Sequence, residues 1–451
     1  MAEATHHFPS DFEWGTATSA HQVEGDNSNN DWWEWEQRKN GKVHGDVSSA
    51  KACDWWAGRA EEDIQRMAEL KTSTHRLSIE WSRLEPEPGQ FDNAAFDRYR
   101  EIIKTMRSAG ITPLVTLHHF TTPIWVAAQG GWLQSDAPKT FAAFVERAVG
   151  NLSDLVDRWC TINEPNVYST NSFFLGGWPP GKAGINDYYA ALFNLLEAHA
   201  RSYDIIHDQQ PNAQVGLAKH MVYYHPRSIS PLDGQVNRIV DRQFNGITLT
   251  ALAKGRWEPL VGKKVGVDKW RNTLDWIGLN YYMRHNTFFD VSNLSGLGIG
   301  YGPRPAEEHG PGGWGEFYPD GLFECIKRLH RSLNLPIYIT ENGLPDERDR
   351  KRPRIMLEYI RRVWTAVMHN YPVKGYYYWS LLDNFEWAEG YDPEFRFGLY
   401  EVDFETQERT LKPSGELYGK IAESNSISSE MVRKSAPEAM DSLFPGGLGG
   451  S

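Results

Sequence analysis

FDRYREIIKTMRSAGITPLVTLHH, Phe96 to His119, joins an amphipathic stretch to a short β-branched run. In the first part, Phe96, Tyr99, Ile102, Ile103 and Met106 follow one another at steps of three, three, one and three. That spacing predicts a helix with one buried face. Gly110 stops it, and Pro113 opens the strand TPLVTLHH, Thr112 to His119. The unit is a helix feeding a strand, and the question is how often it recurs.

Seven further runs of the same character are present: FEWGTATSA (Phe12 to Ala20), THRLSIEW (Thr74 to Trp81), RWCTIN (Arg158 to Asn163), QVGLAKHM (Gln214 to Met221), DWIGLNYY (Asp275 to Tyr282), PIYIT (Pro336 to Thr340) and KGYYYWSL (Lys374 to Leu381). Helical patterns separate them. Strands alternating with helices pair in parallel through right-handed crossovers, and eight such units predict closure into an α/β fold of the (β/α)8 TIM barrel class, in a single domain. An open doubly wound sheet lacks its usual marks: no GxGxxG follows the first strand and no GxxxxGK[ST] occurs. GLGIGYG, Gly296 to Gly302, is out of register for a dinucleotide turn and reads as a flexible loop near the site. Residues 1–424 are assigned to the catalytic barrel, and residues 425–451, with little periodicity and a Gly-rich end, to a loosely attached, flexible tail.

With 451 residues, 40% hydrophobic, the chain can bury a large core. A net charge of −12 argues against nucleic acid and anionic membrane surfaces as partners. The three cysteines, Cys53, Cys160 and Cys325, are widely spaced, form no zinc-type cluster, and fit a reducing compartment. The start of the chain has no basic segment followed by an apolar one, and no run of 18 apolar residues occurs, so a cytoplasmic protein is expected. No metal or cofactor is expected, and the sequence does not speak to oligomeric state. Tryptophan is abundant at 18 residues, several in polar loops such as DWWEWE, Asp31 to Glu36, where an indole either packs a core edge or faces the CH side of a sugar.

A (β/α)8 barrel builds its active site at the C-terminal ends of its strands. Those ends offer Gln22 and Glu24 (run one), Glu80 and Arg83 (two), His118 and His119 (three), Asn163 and Glu164 (four), Asn280 and Tyr282 (six), Glu341 and Asn342 (seven), and Trp379, Asp383, Glu386 and Trp387 (eight). The ring is rich in carboxylates, amides and Trp, and the chain holds neither a GxSxG elbow nor HExxH. Acyl transfer and zinc hydrolysis lose support. Glu164 and Glu341 lie 341 − 164 = 177 residues apart, yet strands four and seven face each other across a barrel mouth. A lone strand-end Glu is commonly a cap or a surface ion pair. Two carboxylates flanking one bond are what glycoside hydrolysis needs. Pro165 is expected to hold Glu164 in extended geometry and keep the next helix from starting there, and Gly343 to permit a sharp turn after Glu341.

TINEPN (Thr161 to Asn166) and YITENGL (Tyr338 to Leu344) resemble the two signature strands of the family 1 glycoside hydrolases, the β-glucosidase family. The resemblance runs from FPSDFEWGTATSAHQVEG through GLNYY to YYYWSLLDNFEW and RFGLYEVD, nearly the whole chain. It implies retaining, exo-acting hydrolysis of terminal β-D-glucosyl residues, with small-molecule β-glycosides or cello-oligosaccharides as substrates. Glu164 is then the general acid/base and Glu341 the nucleophile. Gln22, His119, Asn163, Tyr282, Trp379, Glu386 and Trp387 are the implied sugar-binding set, and Arg76, Tyr282 and Asn280 the groups supporting the nucleophile. Since Glu386 and Gln22 can bond either epimer, β-galactosyl and β-fucosyl residues come within the same expectation. A cation at Arg76 and a phenol at Tyr282 should keep Glu341 ionised, and that charge should keep Glu164 protonated.

Two departures stand out. This chain reads HFT, His119 to Thr121, where many relatives read HWD, and its loop from Arg284 to Gly315 is individual, with Trp314 matched to the family's loop tryptophan. A 6-phospho-β-glycosidase is disfavoured by the carboxylate Glu386, a thioglucosidase by Glu164 itself, and a non-catalytic sugar-binding relative by the presence of both glutamates.

Overall fold

The computed structural model describes residues 4–296, 298–302, 304 and 308–445. All eight runs are strands of one barrel: β1 (Glu13–Ala17), β2 (Thr74–Ser78), β3 (Thr112–Thr116), β4 (Arg158–Asn163), β5 (Gln214–His220), β6 (Trp276–Asn280), β7 (Ile337–Asn342) and β8 (Val373–Trp379). They pair in parallel in chain order, and β8 returns to β1. A helix follows each strand before the next begins, which buries both faces of the sheet. The helix after β2, Asn93–Ser108, is started by Asp92, whose carboxylate accepts from the amides of Ala94 and Ala95, and it buries Phe96, Tyr99, Ile102, Ile103 and Met106. Those are the residues whose spacing predicted it.

At the N-terminal end of the barrel Arg158 closes on Glu13 through two bonds of 2.6 and 2.8 Å, and on Tyr377 at 3.1 Å. The charged plug is internally paired. The opposite end carries the long loops. There Tyr223–Pro226, Arg284–Phe289 and Ile299–Gly302 form a small three-stranded sheet. Buried Glu316 ties it together by accepting from Arg284 at 2.5 Å and Asn286 at 2.6 Å.

The Gly-rich tract is therefore not the flexible loop expected: Ile299 to Gly302 pair with Arg284–Phe289, and Leu297 within the tract lies outside the described residues. A side chain at Gly300 would sit 2.5 Å from the Phe288 ring, so the small residue lets the strand close over that ring. The expected loose tail is also corrected over residues 425–445. Ser426–Ser428 pair with Thr5–His7, and Ile427, Val432, Leu443 and Phe444 are buried. Its apolar residues are too sparse for a clear period yet enough to cover one flank of the barrel. The Gly-rich end, 446–451, lies outside the described residues. Among the described residues no helix is long and apolar enough to cross a membrane.

Candidate active site

A cavity of about 500 Å³ opens at the C-terminal ends of the strands. Of the residues put forward from the sequence, His119, Glu164, Tyr282, Glu341, Trp379, Glu386 and Trp387 line it, as does Trp314. Arg76, Gln22, Asn163 and Asn280 stand behind that lining, each bonded to a member of it.

Glu341, near the end of β7, is 4% exposed, and Arg76 from β2 makes an ion pair with one of its oxygens. The Tyr282 hydroxyl donates to the other at 2.7 Å. Tyr282 is itself held by Tyr359, which donates to its carbonyl at 2.7 Å. Arg76 also donates to Asn163 Oδ1 at 2.7 Å and to Thr116 at 3.1 Å, so its fork is fixed by three strands. Gly343 does something other than make a sharp turn: a side chain there would meet the Trp379 carbonyl at 1.9 Å. Its bareness brings β7 and β8 together and sets Glu341 beside Trp379.

Glu164 occupies the left-handed region at φ 43°, and the helix Pro165–Ser169 begins immediately after it. Pro165 was expected to impose extended geometry and delay the helix. A residue before proline is barred from the right-handed helical region, and the left-handed one is the other way to turn the chain. The carboxylate accepts from Asn280 Nδ2 at 2.8 Å and bonds His220 Nδ1 at 2.9 Å.

Asn280 was expected to support Glu341, and this is corrected. Thr340 donates to Asn280 Oδ1 at 2.6 Å, which turns the amide nitrogen away from Glu341 towards Glu164 and Asn163. His220, at the end of β5, was missed altogether. The signal was available, since β5 is the one strand end from which no residue was proposed and it closes on a histidine.

Two buried carboxyls in one cavity raise each other's cost of ionising. Burial lifts Glu341 to about 7, with Arg76 opposing and Glu164 adding to the rise. Burial also pushes Glu164 upward, but the charge and hydrogen bond of His220, with Asn280 and Arg76, carry it below the usual carboxylate range. The higher of the two is thus Glu341, the reverse of the expected pattern of ionised Glu341 facing protonated Glu164. The charge that separates them is that of His220, since Arg76 bears on both carboxyls, and the expected pattern requires that charge to be absent.

At the enclosed end of the cavity Gln22 donates to Glu386 at 3.1 Å. Burial, with the nearby charges of Glu341 and Glu389, raises the Glu386 carboxyl well above its ordinary range, so it can donate as well as accept. His119 lies nearly parallel to Trp379 and Trp387 at centroid distances of 6.0 and 6.1 Å, and burial holds it neutral. Its Nε2 faces Asn163 Nδ2 at 3.0 Å. Phe120, from the departing HFT segment, also lines the cavity, edge-on to Trp387 at 5.3 Å.

Other strand-end residues serve the fold. His118 is packed among Trp132, Phe141 and Tyr168. Asp383 is paired with Lys412 at 2.7 Å, Glu24 with Arg83 at 3.0 Å, and Glu80 caps the helix Trp81–Leu84. Asn342 donates to the Tyr281 carbonyl.

A closed eight-stranded barrel with a pair of buried glutamates and a ring of amides and indoles at its mouth defines a glycoside-cleaving class of hydrolase. The profile of Glycosyl hydrolase family 1 matches residues 4–427, and the chain belongs to that family of β-glycosidases. It is 32% identical over 447 residues to Beta-glucosidase A of Thermotoga maritima, covering 93% of this chain and 98% of the relative. It is 29% identical to a Beta-galactosidase of Saccharolobus solfataricus, covering 94% and 96%. Among solved structures, a beta-glycosidase from Pyrococcus horikoshii superposes with a TM-score of 0.88 at 36% identity, covering 96% of this chain and 98% of the other. A Thermotoga maritima beta-glucosidase in complex with castanospermine does so at 0.87 and 30%, covering 94% and 99%.

Proposed function

We propose that the protein is a retaining, exo-acting β-glycosidase that releases terminal β-D-glucosyl residues, and with them β-galactosyl or β-fucosyl ones, by double displacement. The observation that carries this reading is the unlike support of the two glutamates. Glu341 receives a guanidinium and a phenol, both donors to an anion, and Glu164 receives an amide and an imidazole.

Glu341 attacks the anomeric carbon as Glu164 gives its proton to the glycosidic oxygen. The carbon–oxygen bond breaks, the aglycone leaves with that proton, and an ester to Glu341 forms. Discharging Glu341 removes the repulsion on Glu164, which becomes a base. It takes a proton from water, the water oxygen bonds the anomeric carbon, and Glu341 departs as a carboxylate. Gln22, His119, Asn163 and Glu386 offer donors and acceptors for the sugar hydroxyls, Trp379 a flat face. Such a site rejects ligands lacking those hydroxyls.

The cavity lining contains no Lys or Arg among the described residues. That favours a neutral sugar over a phosphorylated one. A 2-deoxy-2-fluoro β-glucoside is expected to leave a covalent adduct on Glu341, read by peptide mass spectrometry, and an adduct elsewhere, or none with active enzyme, sinks the mechanism. In Glu164→Ala, turnover of glycosides with poor leaving groups should drop far more than that of activated aryl glycosides. Equal losses would contradict the acid role.

A further inference from the structure

The short helix Ala20–Val23 follows β1, and the loop that carries Glu386 and Trp387 follows β8, the strand paired with β1. Two consecutive residues of the helix meet two consecutive residues of the loop. Gln22 donates to Glu386 at 3.1 Å, and the His21 ring lies within 10° of parallel to Trp387 at a centroid distance of 5.7 Å. Glu386 and Trp387 line the catalytic cavity, whereas His21 is 1% exposed, outside that lining, with Phe385 edge-on to it at 5.9 Å. Trp387 takes the left-handed backbone conformation, φ 50°, which a bulky residue adopts only where its surroundings impose it.

Both nitrogens of His21 have assignable roles. The Trp33 amide can only donate, and it donates to Asn30 Oδ1 at 2.9 Å, so the Asn30 atom 3.1 Å from His21 Nδ1 is the donor Nδ2. Nδ1 therefore accepts, and the ring carries its proton on Nε2. That nitrogen faces Glu36 Oε2 at 3.7 Å, with both side chains fully enclosed. The other Glu36 oxygen is saturated: it accepts from Ser48 Oγ at 3.0 Å, the Ser49 amide at 3.1 Å and Ser49 Oγ at 2.9 Å. Among the described residues neither His21 Nε2 nor Glu36 Oε2 has a hydrogen-bond partner. A separation of 3.7 Å is too long for a hydrogen bond, yet close enough for an N–H dipole to be drawn to a carboxylate in a low-dielectric interior. Held at both nitrogens, the ring cannot rotate about Cβ–Cγ, and its plane is the one against which Trp387 is stacked. Packing alone accounts for a buried ring here. It does not account for a buried carboxylate with one oxygen reserved for that ring, which costs stability unless the contact is used.

Resting on the β-glycosidase reading, we infer that His21 is a positioning residue for the sugar: Asn30 and Glu36 fix its plane, and His21 and Gln22 together set Trp387 and Glu386 for the sugar hydroxyls.

His21→Phe keeps a ring beside Trp387 and removes both nitrogen contacts. With an aryl β-glucoside, KM is expected to rise about tenfold or more while kcat falls no more than about threefold, because grip on the sugar is lost and the two glutamates stay in place. Labelling by a 2-deoxy-2-fluoro β-glucoside should remain stoichiometric with the chain, which separates a lost contact from a folding defect. A purely structural histidine predicts the reverse: fewer active sites, a lower Tm and an unchanged KM. Glu36→Gln supplies a second arm. Alone, it sets an amide N–H against the His21 N–H and should raise KM as well. Added to His21→Phe, it removes a buried carboxylate that has lost its partner, so the double variant should melt above His21→Phe. An unchanged KM in His21→Phe at full labelling, or additive Tm losses in the double variant, overturns the assignment. If the parent hydrolyses no β-glycoside, the β-glycosidase reading fails by itself, and calorimetry with the iminosugar deoxynojirimycin still decides the role of His21. Binding weaker in His21→Phe than in the parent by about tenfold or more upholds it, and equal affinity, or no binding by the parent, overturns it.

Discussion

At the residue scale the unusual partner is His220. Family motifs name the groups around Glu341, but the bond from an imidazole to Glu164 comes from the end of β5, where no motif points. Against the upward push of burial, the charge and hydrogen bond of His220 lower the Glu164 carboxyl. Replacing His220 by Gln keeps a donor and removes the charge. The Glu164 carboxyl then rises, and the basic limb of kcat/KM against pH is expected to move up by about one unit, with KM nearly unchanged. A basic limb that stays in place would remove His220 from the proton balance. The places of Glu164 and Glu341 at the cavity were legible in the sequence because each sits in a local signature that fixes its strand-end position. Asn280 was misassigned because sequence gives the strand end a side chain occupies, whereas Thr340 on the neighbouring strand decides which way that side chain turns.

At the scale of elements, β7 and β8 are pressed together at Gly343, where only the absence of a side chain admits the Trp379 carbonyl. Gly343→Ala must push those strands apart at the point where Glu341 and Trp379 face the cavity. Overpacking of this kind costs about 1–3 kcal/mol, so a lower Tm is expected by calorimetry together with a fall in kcat on any substrate. An unchanged Tm and kcat would show that the contact relaxes freely. The eight strands and their helices were legible because each carries its own period and its own stop signals. The small sheet at the mouth was not. Its strands take few residues each, the Gly tract has no alternation, and what holds them is Glu316, a tertiary contact.

At the scale of the whole molecule, burial of neutral histidines ties stability to pH. Desolvation lowers His75, His118 and His199 to about 3 each, and an unfolded histidine binds its proton near 6.5. Between those values the unfolded chain holds protons that the folded one lacks, so each ring subtracts stability as pH falls from 6.5 towards 3. Asp31 acts in the opposite sense: burial raises it to about 8, and its contribution weakens as pH rises from about 4 to 8. His118 is enclosed by aromatic rings, so His118→Phe keeps the packing and removes the titration. The variant's Tm advantage over the parent should grow as pH is lowered from 7 to 4.5, and a constant difference would count against a buried neutral ring. What the sequence determined by itself was local: eight strand and helix periods, hence the barrel, and the two motifs that set Glu164 and Glu341 at strand ends. What only the tertiary structure decided was everything that depends on two distant segments meeting: the His220 bond, the turn of Asn280, the packing of residues 425–445, and the stacking of His21 on Trp387. Periodicity and motif spacing are written within a few residues of one another, while a cavity wall and a shared proton belong to groups that the chain brings together only when it closes.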